Sequence, residues 1–287
     1  MVELKGPAER GLFALARDTL RVTGADRKSW LDGLLTCAVT TVAVGTAAYG
    51  LLLTKQGKIV TDAFLADNGK QLLVGVAPGR GAAVLELLER YLVMEDAELE
   101  LPTATLYWQI GATVTDATPS ALAHGALQLG AFGTQLWVTE APAVDLADAT
   151  ELLAAHGLGV FGVDFDERSN PHEASLDRVA VSWTKGCYLG QEVVCMQDMR
   201  GKVKRRLVAL DGSAALLATT AAAAEAPQKD VLGADGSVAG HVSSVHRTPG
   251  GARLLATIST SALESPGELS FLGERLRVAF GATPKLS

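Results

Sequence analysis

Lys185-Gly186-Cys187-Tyr188-Leu189-Gly190-Gln191-Glu192 packs a cation, a thiol, two glycines and a carboxylate into eight residues, directly before the apolar pair Val193-Val194. The glycines admit backbone geometries that other residues resist. Lys185 can favour the Cys187 thiolate electrostatically, and a helix beginning near Tyr188 would add the positive end of its dipole. On chemistry alone this is a reactive or ligand-facing cysteine. The competing reading is a strand-turn-helix corner in which Cys187 is a small buried hydrophobe.

The rest of the chain bounds what such a corner can serve. A length of 287 residues suits two or three modules. Hydrophobic residues make up 48% and charged residues 20%, so a sizeable core is expected rather than disorder. The net charge of −7 argues against a general nucleic-acid binder, and hence against direct tRNA binding. Lys202, Lys204, Arg205 and Arg206 form a local basic run that could meet phosphate or a polyglutamyl tail. A solvated strand edge explains it better. Cys37, Cys187 and Cys195 give an odd count without a CxxC pair, which is neither a disulfide framework nor a zinc or cluster spacing. No metal site is expected. Residues 1–7 lack the apolar run of a secretory signal, and no apolar run approaches the ~20 residues that span a bilayer. The expected home is a reducing cytoplasm, with no membrane partner.

Residues 20–23 are predicted as a strand ended by Gly24. Asp26 is expected to cap a short helix whose apolar face carries Trp30, Leu31, Leu34 and Leu35. Runs at 47–54 and 58–66, joined by Gln56-Gly57, predict a hairpin. A strand at 71–76 follows. Pro78-Gly79 then introduces a helix with Val84, Leu85, Leu87, Leu88, Tyr91 and Leu92 at helical spacing, and residues 98–101 close the unit. A second, weaker round has strands at 107–110 and 135–139 and helices at 119–123 and 143–155. From Gly201 the pattern turns to short β-runs at 206–210, 238–245, 253–258 and 275–280, as in a small barrel or sandwich. Residues 214–226, rich in alanine and threonine, read as a loop or short helix.

The octapeptide resembles the signature K-G-C-Y/F-x-G-Q-E of the YgfZ family of folate-binding proteins linked to iron–sulfur cluster maintenance. Further similarity lies in residues 20–27 with Trp30-Leu31 and Leu35-Thr36, and in Tyr49-Gly50-Leu51-Leu52-Leu53-Thr54 with the turn 56–59. Gly162-Val163-Asp164 and residues 170–176 stand where that family, and its relative the glycine-cleavage T-protein, carry a folate-contacting glutamate. The resemblance implies an α+β fold: two α+β modules, at 1–102 and 103–200, and a C-terminal antiparallel β-barrel at 201–287, around a central opening.

It also implies the chemistry. Cys187 becomes the reactive thiol and Lys185 its cation. Glu173, after Pro171, would accept paired N–H groups of a pterin, with Asp62, Tyr188 and Gln191 as further contacts to tetrahydrofolate or a derivative. The implied partners are folate and iron–sulfur proteins or their assembly machinery, including enzymes that modify tRNA. Asp62 beside Thr61 leaves one acid where T-proteins carry two adjacent acids. This departure counts against the alternative of a tetrahydrofolate-dependent aminomethyltransferase. The family's Arg-x-Glu-x-Gly run is replaced by Leu153-Ala154-Ala155-His156-Gly157, and its Ala-Arg pair by Cys195-Met196. A third reading is a non-catalytic interaction scaffold.

Overall fold

Fifteen strands and five helices are built by the described residues of the computed structural model, which are 11–112, 121–141, 146–201, 203–217, 230–264 and 268–280. The first nine strands are β1 (Gly11–Leu15), β2 (Asp18–Thr23), β3 (Gly45–Leu53), β4 (Ile59–Asp67), β5 (Leu72–Val76), β6 (Glu98–Glu100), β7 (Tyr107–Ala112), β8 (Ala121–Leu129) and β9 (Phe132–Thr139). They form one mixed sheet in the order β1-β7-β9-β8-β3-β4-β5-β2-β6. Its neighbours are antiparallel except β3 and β8, which meet in parallel at Gly45↔Gly125 and Thr46↔Ala126. A Cβ on Gly125 would stand 2.3 Å from the Thr46 carbonyl carbon, so only glycine lets the two backbones approach this closely.

The β3–β4 hairpin turns at Gln56-Gly57 as expected, with Gly57 at φ 71° and its N–H donating to the Thr54 carbonyl at 2.9 Å. One face of the sheet packs Leu20, Val22, Leu52, Ala63, Leu65 and Val74 against Trp30 and Leu31 of α1 (Arg27–Asp32) and Val84 and Leu88 of α2 (Gly81–Glu89). Asp26, expected to cap α1, makes no side-chain cap bond. Its Oδ2 instead accepts from the Asp96 N–H at 2.9 Å, while its own N–H donates to the Asp96 carbonyl at 2.9 Å. A neighbouring loop with free donors has outcompeted the helix for that carboxylate.

Two helix expectations fail. Residues 121–123 begin β8 rather than ending a helix; residues 119 and 120 lie outside the described residues. Burial along β8 has a period of two, with Ala123, Gly125, Leu127 and Leu129 inside. That pattern overrides the helix preference of the alanines. Of residues 143–155 only α3 (Thr150–Ala155) is helical, with 142–145 outside the described residues. Backbone groups at 147 and 149 are drawn to β1 instead, in bonds of 2.8 Å each with Ala14. Residues 215–217 are helical, and 218–226 lie outside the described residues, as does Lys202.

After α4 (Gln191–Arg200), the strands β10 (Arg205–Gly212), β11 (Asp230–Leu232), β12 (Val238–Thr248), β13 (Gly251–Ser259), β14 (Leu269–Phe271) and β15 (Glu274–Phe280) close a barrel in the order β10-β13-β12-β11-β14-β15. Its interior holds Val208, Leu210, Val231, Leu254, Ala256 and Ile258, and α5 (Thr260–Glu264) follows β13. The chain divides into two units. One comprises Glu9–Ala149 with Leu176–Met196 and contains the sheet; the other comprises Thr150–Ser175 with Gln197–Ser287 and contains the barrel. The sheet takes β1–β6 from residues 1–102 and β7–β9 from residues 103–200. No helix among the described residues is long and apolar enough to cross a membrane.

The close approach at Gly125 makes a direct prediction. Gly125→Ala should lower unfolding free energy by about 1–3 kcal/mol, the usual penalty for forcing atoms into a packed site. Urea denaturation followed by circular dichroism measures it, and an unchanged midpoint would show that the β3–β8 junction yields freely.

Candidate functional site

The signature segment is pinned to the end of α1. Leu189 N–H donates to the Gly33 carbonyl at 3.0 Å, Ser182 N–H to the Thr36 carbonyl at 2.9 Å, and Thr36 Oγ1 to the Ala180 carbonyl at 2.6 Å. The main anchor is Lys185, whose side chain is 3% exposed. Its ammonium donates to the carbonyls of Leu35 at 2.9 Å, Cys37 at 3.0 Å and Asp32, and lies 3.2 Å from Asp32 Oδ2. The last turn of α1 has no basic residue of its own. Lys185 therefore meets the carbonyl of the last residue of α1 and two carbonyls of the turn that follows it.

These contacts change the expected role of Lys185. Its direct charge partner is Asp32, and the thiol it acts on is Cys37: burial pushes that thiol from 9.0 up to about 12, partly opposed by Lys185. Cys187 is exposed. The helix expected near Tyr188 begins at Gln191, after Gly190 at φ 81°. A Cβ on Gly190 would stand 2.5 Å from the Thr54 carbonyl oxygen, so the turn into α4 lies tightly on the β3–β4 hairpin. Tyr188 is 6% exposed, its ring 5.6 Å from the Lys185 ammonium. Burial, and secondarily Cys195, push the Tyr188 hydroxyl well above its ordinary range. Gln191 is half-buried in the first turn of α4. Trp183, just before the signature, is 46% exposed and donates its indole N–H to the Asp177 carbonyl at 2.9 Å.

Asp62, on β4 in the same unit, is 1% exposed. Its Oδ1 accepts from Arg17 Nη1 at 2.6 Å and its Oδ2 from the Tyr49 hydroxyl at 3.2 Å. The Arg17 guanidinium also lies 4.6 Å over the Phe64 ring. The carboxylate expected to face folate is thus committed to a buried ion pair. The sequence did not mark Arg17, and marked Tyr49 only within the run Tyr49–Thr54, not as a partner of Asp62. The available signal was the acid itself, set in an apolar strand, because a buried carboxylate requires a cation and donors.

Glu173 belongs to the other unit. Its N–H donates to Asn170 Oδ1 at 2.9 Å while its Oε2 accepts from the Asn170 N–H at 3.3 Å, a reciprocal closure of the turn. The remaining oxygen, Oε1, lies 3.4 Å from Arg205 Nε. Glu173 and Arg205 line a cavity of about 540 Å³ together with Asp164, Phe165 and Ser243. Asp164, of the Gly-Val-Asp motif, is held by Ser243 Oγ at 2.5 Å and Ser244 Oγ at 2.6 Å. The cavity thus carries the Glu173 carboxylate and the Arg205 guanidinium side by side on its wall. Glu173 lines a cavity, whereas both oxygens of Asp62 are engaged by Arg17 and Tyr49.

Comparison with known proteins agrees with the signature. The GCVT N-terminal domain family matches residues 16–110. The tRNA-modifying protein YgfZ of Vibrio atlanticus is 24% identical over 220 residues, covering 68% of this chain and 67% of that protein. Its counterpart from Vibrio vulnificus is 27% identical over 220 residues with the same coverage. An iron–sulfur cluster assembly factor IBA57 homolog of Chaetomium globosum is 24% identical over 238 residues, 67% of this chain and 54% of that protein. Among solved structures, the glycine cleavage system aminomethyltransferase T of Bartonella henselae superposes with a TM-score of 0.70 at 14% identity. That match covers 96% of this chain and 86% of that one. The chain resembles the YgfZ proteins and has a T-protein-like fold.

Two predictions follow from the Lys185 and Cys37 contacts. Lys185→Met should destabilise the chain by about 3 kcal/mol, because it leaves Asp32 and three carbonyls without their cation; chemical denaturation is the check. Cys37 keeps its proton to about 12 when folded but loses it near 9 when unfolded. Above pH 9 the unfolded state thus binds fewer protons, and stability falls as pH rises. By pH 10 the loss should be about 1 kcal/mol. Cys37→Ala should flatten this slope between pH 9 and 10, and an unaltered slope in the variant would remove Cys37 as its source.

Proposed function

We propose that this chain, similar in sequence to the YgfZ proteins and in fold to the glycine-cleavage aminomethyltransferase, is a folate-binding auxiliary protein. It supports iron–sulfur cluster assembly or repair, including the iron–sulfur enzymes that modify tRNA. The observation that carries the folate reading is Glu173, with Oε1 directed at Arg205 on the wall of a cavity of about 540 Å³. Glu173 would accept a pterin N–H, and Arg205, 3.4 Å from Glu173 Oε1, would hold that carboxylate ionised and in place. The names of the Vibrio and Chaetomium relatives support the iron–sulfur and tRNA side of the reading.

Cys187 acts as the exposed thiol of this system, on a segment that Lys185 fixes to the end of α1. Lys185 serves as its positioning residue. Bound tetrahydrofolate would supply a carrier for one-carbon units. Aminomethyl transfer is disfavoured because it needs a carboxylate free to act on the reacting centre, and Asp62 is held by Arg17 and Tyr49.

Anaerobic calorimetric titration with tetrahydrofolate tests the binding. Wild type should saturate, and Glu173→Gln should bind at least tenfold more weakly, the effect of losing a hydrogen bond to a charged group worth about 1.5–3 kcal/mol. No binding by folded wild type would refute the folate reading. Complementation of a deletion strain tests the thiol: Cys187→Ser should fail to restore the activity of iron–sulfur enzymes, and full restoration would refute a reactive Cys187.

A further inference from the structure

The cavity that Glu173 lines has a second wall, built by the barrel. Strand register sets Asp230 of β11, His241 of β12 and Thr257 of β13 side by side across three neighbouring strands. Directly paired residues of antiparallel strands share a face. The next pair along, Val242 and Ala256, points into the barrel interior, so the Asp230–His241–Thr257 row lies on the outer face. His241 and Thr257 line the same cavity of about 540 Å³ as Glu173 and Arg205, and all four belong to the unit that contains the barrel. The register of β12 shifts between Val242 and Ser244, and from this bulge the Ser243 hydroxyl donates to Asp164 Oδ1 at 2.5 Å. The wall at residues 162–165 is thereby tied to the wall that carries His241.

Asp230 fixes the imidazole of His241 in one tautomer. Its Oδ1 lies 2.8 Å from His241 Nδ1, and because an ionised carboxylate only accepts, Nδ1 carries the proton. In the uncharged ring Nε2 is then a bare acceptor, with no partner among the described residues. The Thr257 hydroxyl beside it likewise has none. His241 is exposed and Thr257 half-buried, so both residues are accessible from the cavity they line.

We propose that His241, oriented by Asp230, is a specificity-determining residue that sets which oxidation state of folate this cavity takes. The inference rests on the folate reading of the cavity and deepens it. A tetrahydropterin carries an N–H on each nitrogen of its reduced ring, whereas in oxidised folic acid both nitrogens are bare acceptors. His241 Nε2 accepts from one of those N–H groups. Against the oxidised ring two acceptors would face each other, and a site built around a ligand donor rejects the analogue that lacks it. Glu173 accepts from the other half of the pterin, where the amino group and the ring N–H are the same in both forms. Thr257, whose hydroxyl can donate or accept, tolerates either form.

The test is anaerobic calorimetry on the full chain, in mildly alkaline buffer that keeps imidazole uncharged, with tetrahydrofolate and folic acid as the two probes. Wild type should bind tetrahydrofolate at least about tenfold more tightly than folic acid. His241→Phe, at an exposed position, should erase that preference by weakening tetrahydrofolate alone, with folic acid affinity and Tm unchanged. Asp230→Leu, which keeps the imidazole but frees its orientation, should narrow the preference in the same direction. Glu173→Gln should instead weaken both forms alike. Equal affinity of wild type for the two probes overturns the proposal. A preference that persists in His241→Phe, or a variant in which both probes weaken equally, overturns it while leaving the folate reading intact. Absence of any binding by folded wild type refutes the folate reading and this inference with it.

Discussion

The Lys185 ammonium, set among the carbonyls of Asp32, Leu35 and Cys37 and the Asp32 carboxylate, is the contact on which the signature segment depends. The turn after α1 bonds the Trp30 and Leu31 carbonyls, but the helix has no basic residue in its own last turn to meet Asp32. A cation supplied from 153 residues further along the chain closes that end. Because the ammonium is nearly inaccessible to water, its attachment is stronger than a surface ion pair. Leu189 and Ser182 then complete the anchorage with backbone bonds to Gly33 and Thr36, and Cys187 is carried between them on an immobilised backbone.

A second buried cation changes the meaning of Asp62. In a strand whose other residues are largely apolar, a lone carboxylate can stay ionised only if a cation and hydrogen-bond donors accompany it. Arg17 and Tyr49 supply these, and Phe64 adds a ring beneath the guanidinium. The same contacts that make burial tolerable engage both oxygens of the carboxylate. Burial and the neighbouring Asp62 charge hold the Tyr49 hydroxyl well above its ordinary range, so it remains a donor to that carboxylate.

Local chemistry made much of the fold legible in the sequence. The Gln56-Gly57 turn needs a positive φ, and the runs on either side alternate or bury fully, so the hairpin could be read directly. The barrel strands β10, β12, β13 and β15 were legible for the same reason, as β-rich runs separated by Gly and Pro. Illegible features were decided at a distance. The alanines of β8 look helical until β3 and β9 impose a pleat, and Asp26 looks like a cap until the Asp96 amide competes for it. At the site, the signature drew attention to Lys185 and Cys187 but could not disclose the Lys185–Asp32 pair. Nor could the isolated acid at position 62 name Arg17 as its partner.

The two thiols nearest Lys185 in sequence or space show how one cation can serve them differently. Cys37 is 6% exposed, and a Cβ at Gly50 would stand only 2.5 Å from its sulfur. Dehydration there outweighs the pull of Lys185, so the buried thiol stays protonated and inert as a nucleophile. Cys187 avoids that dehydration because it is exposed. Lys185 fixes the segment that carries it. Cys187 thus combines exposure with a backbone held between the end of α1 and the Gly190 turn.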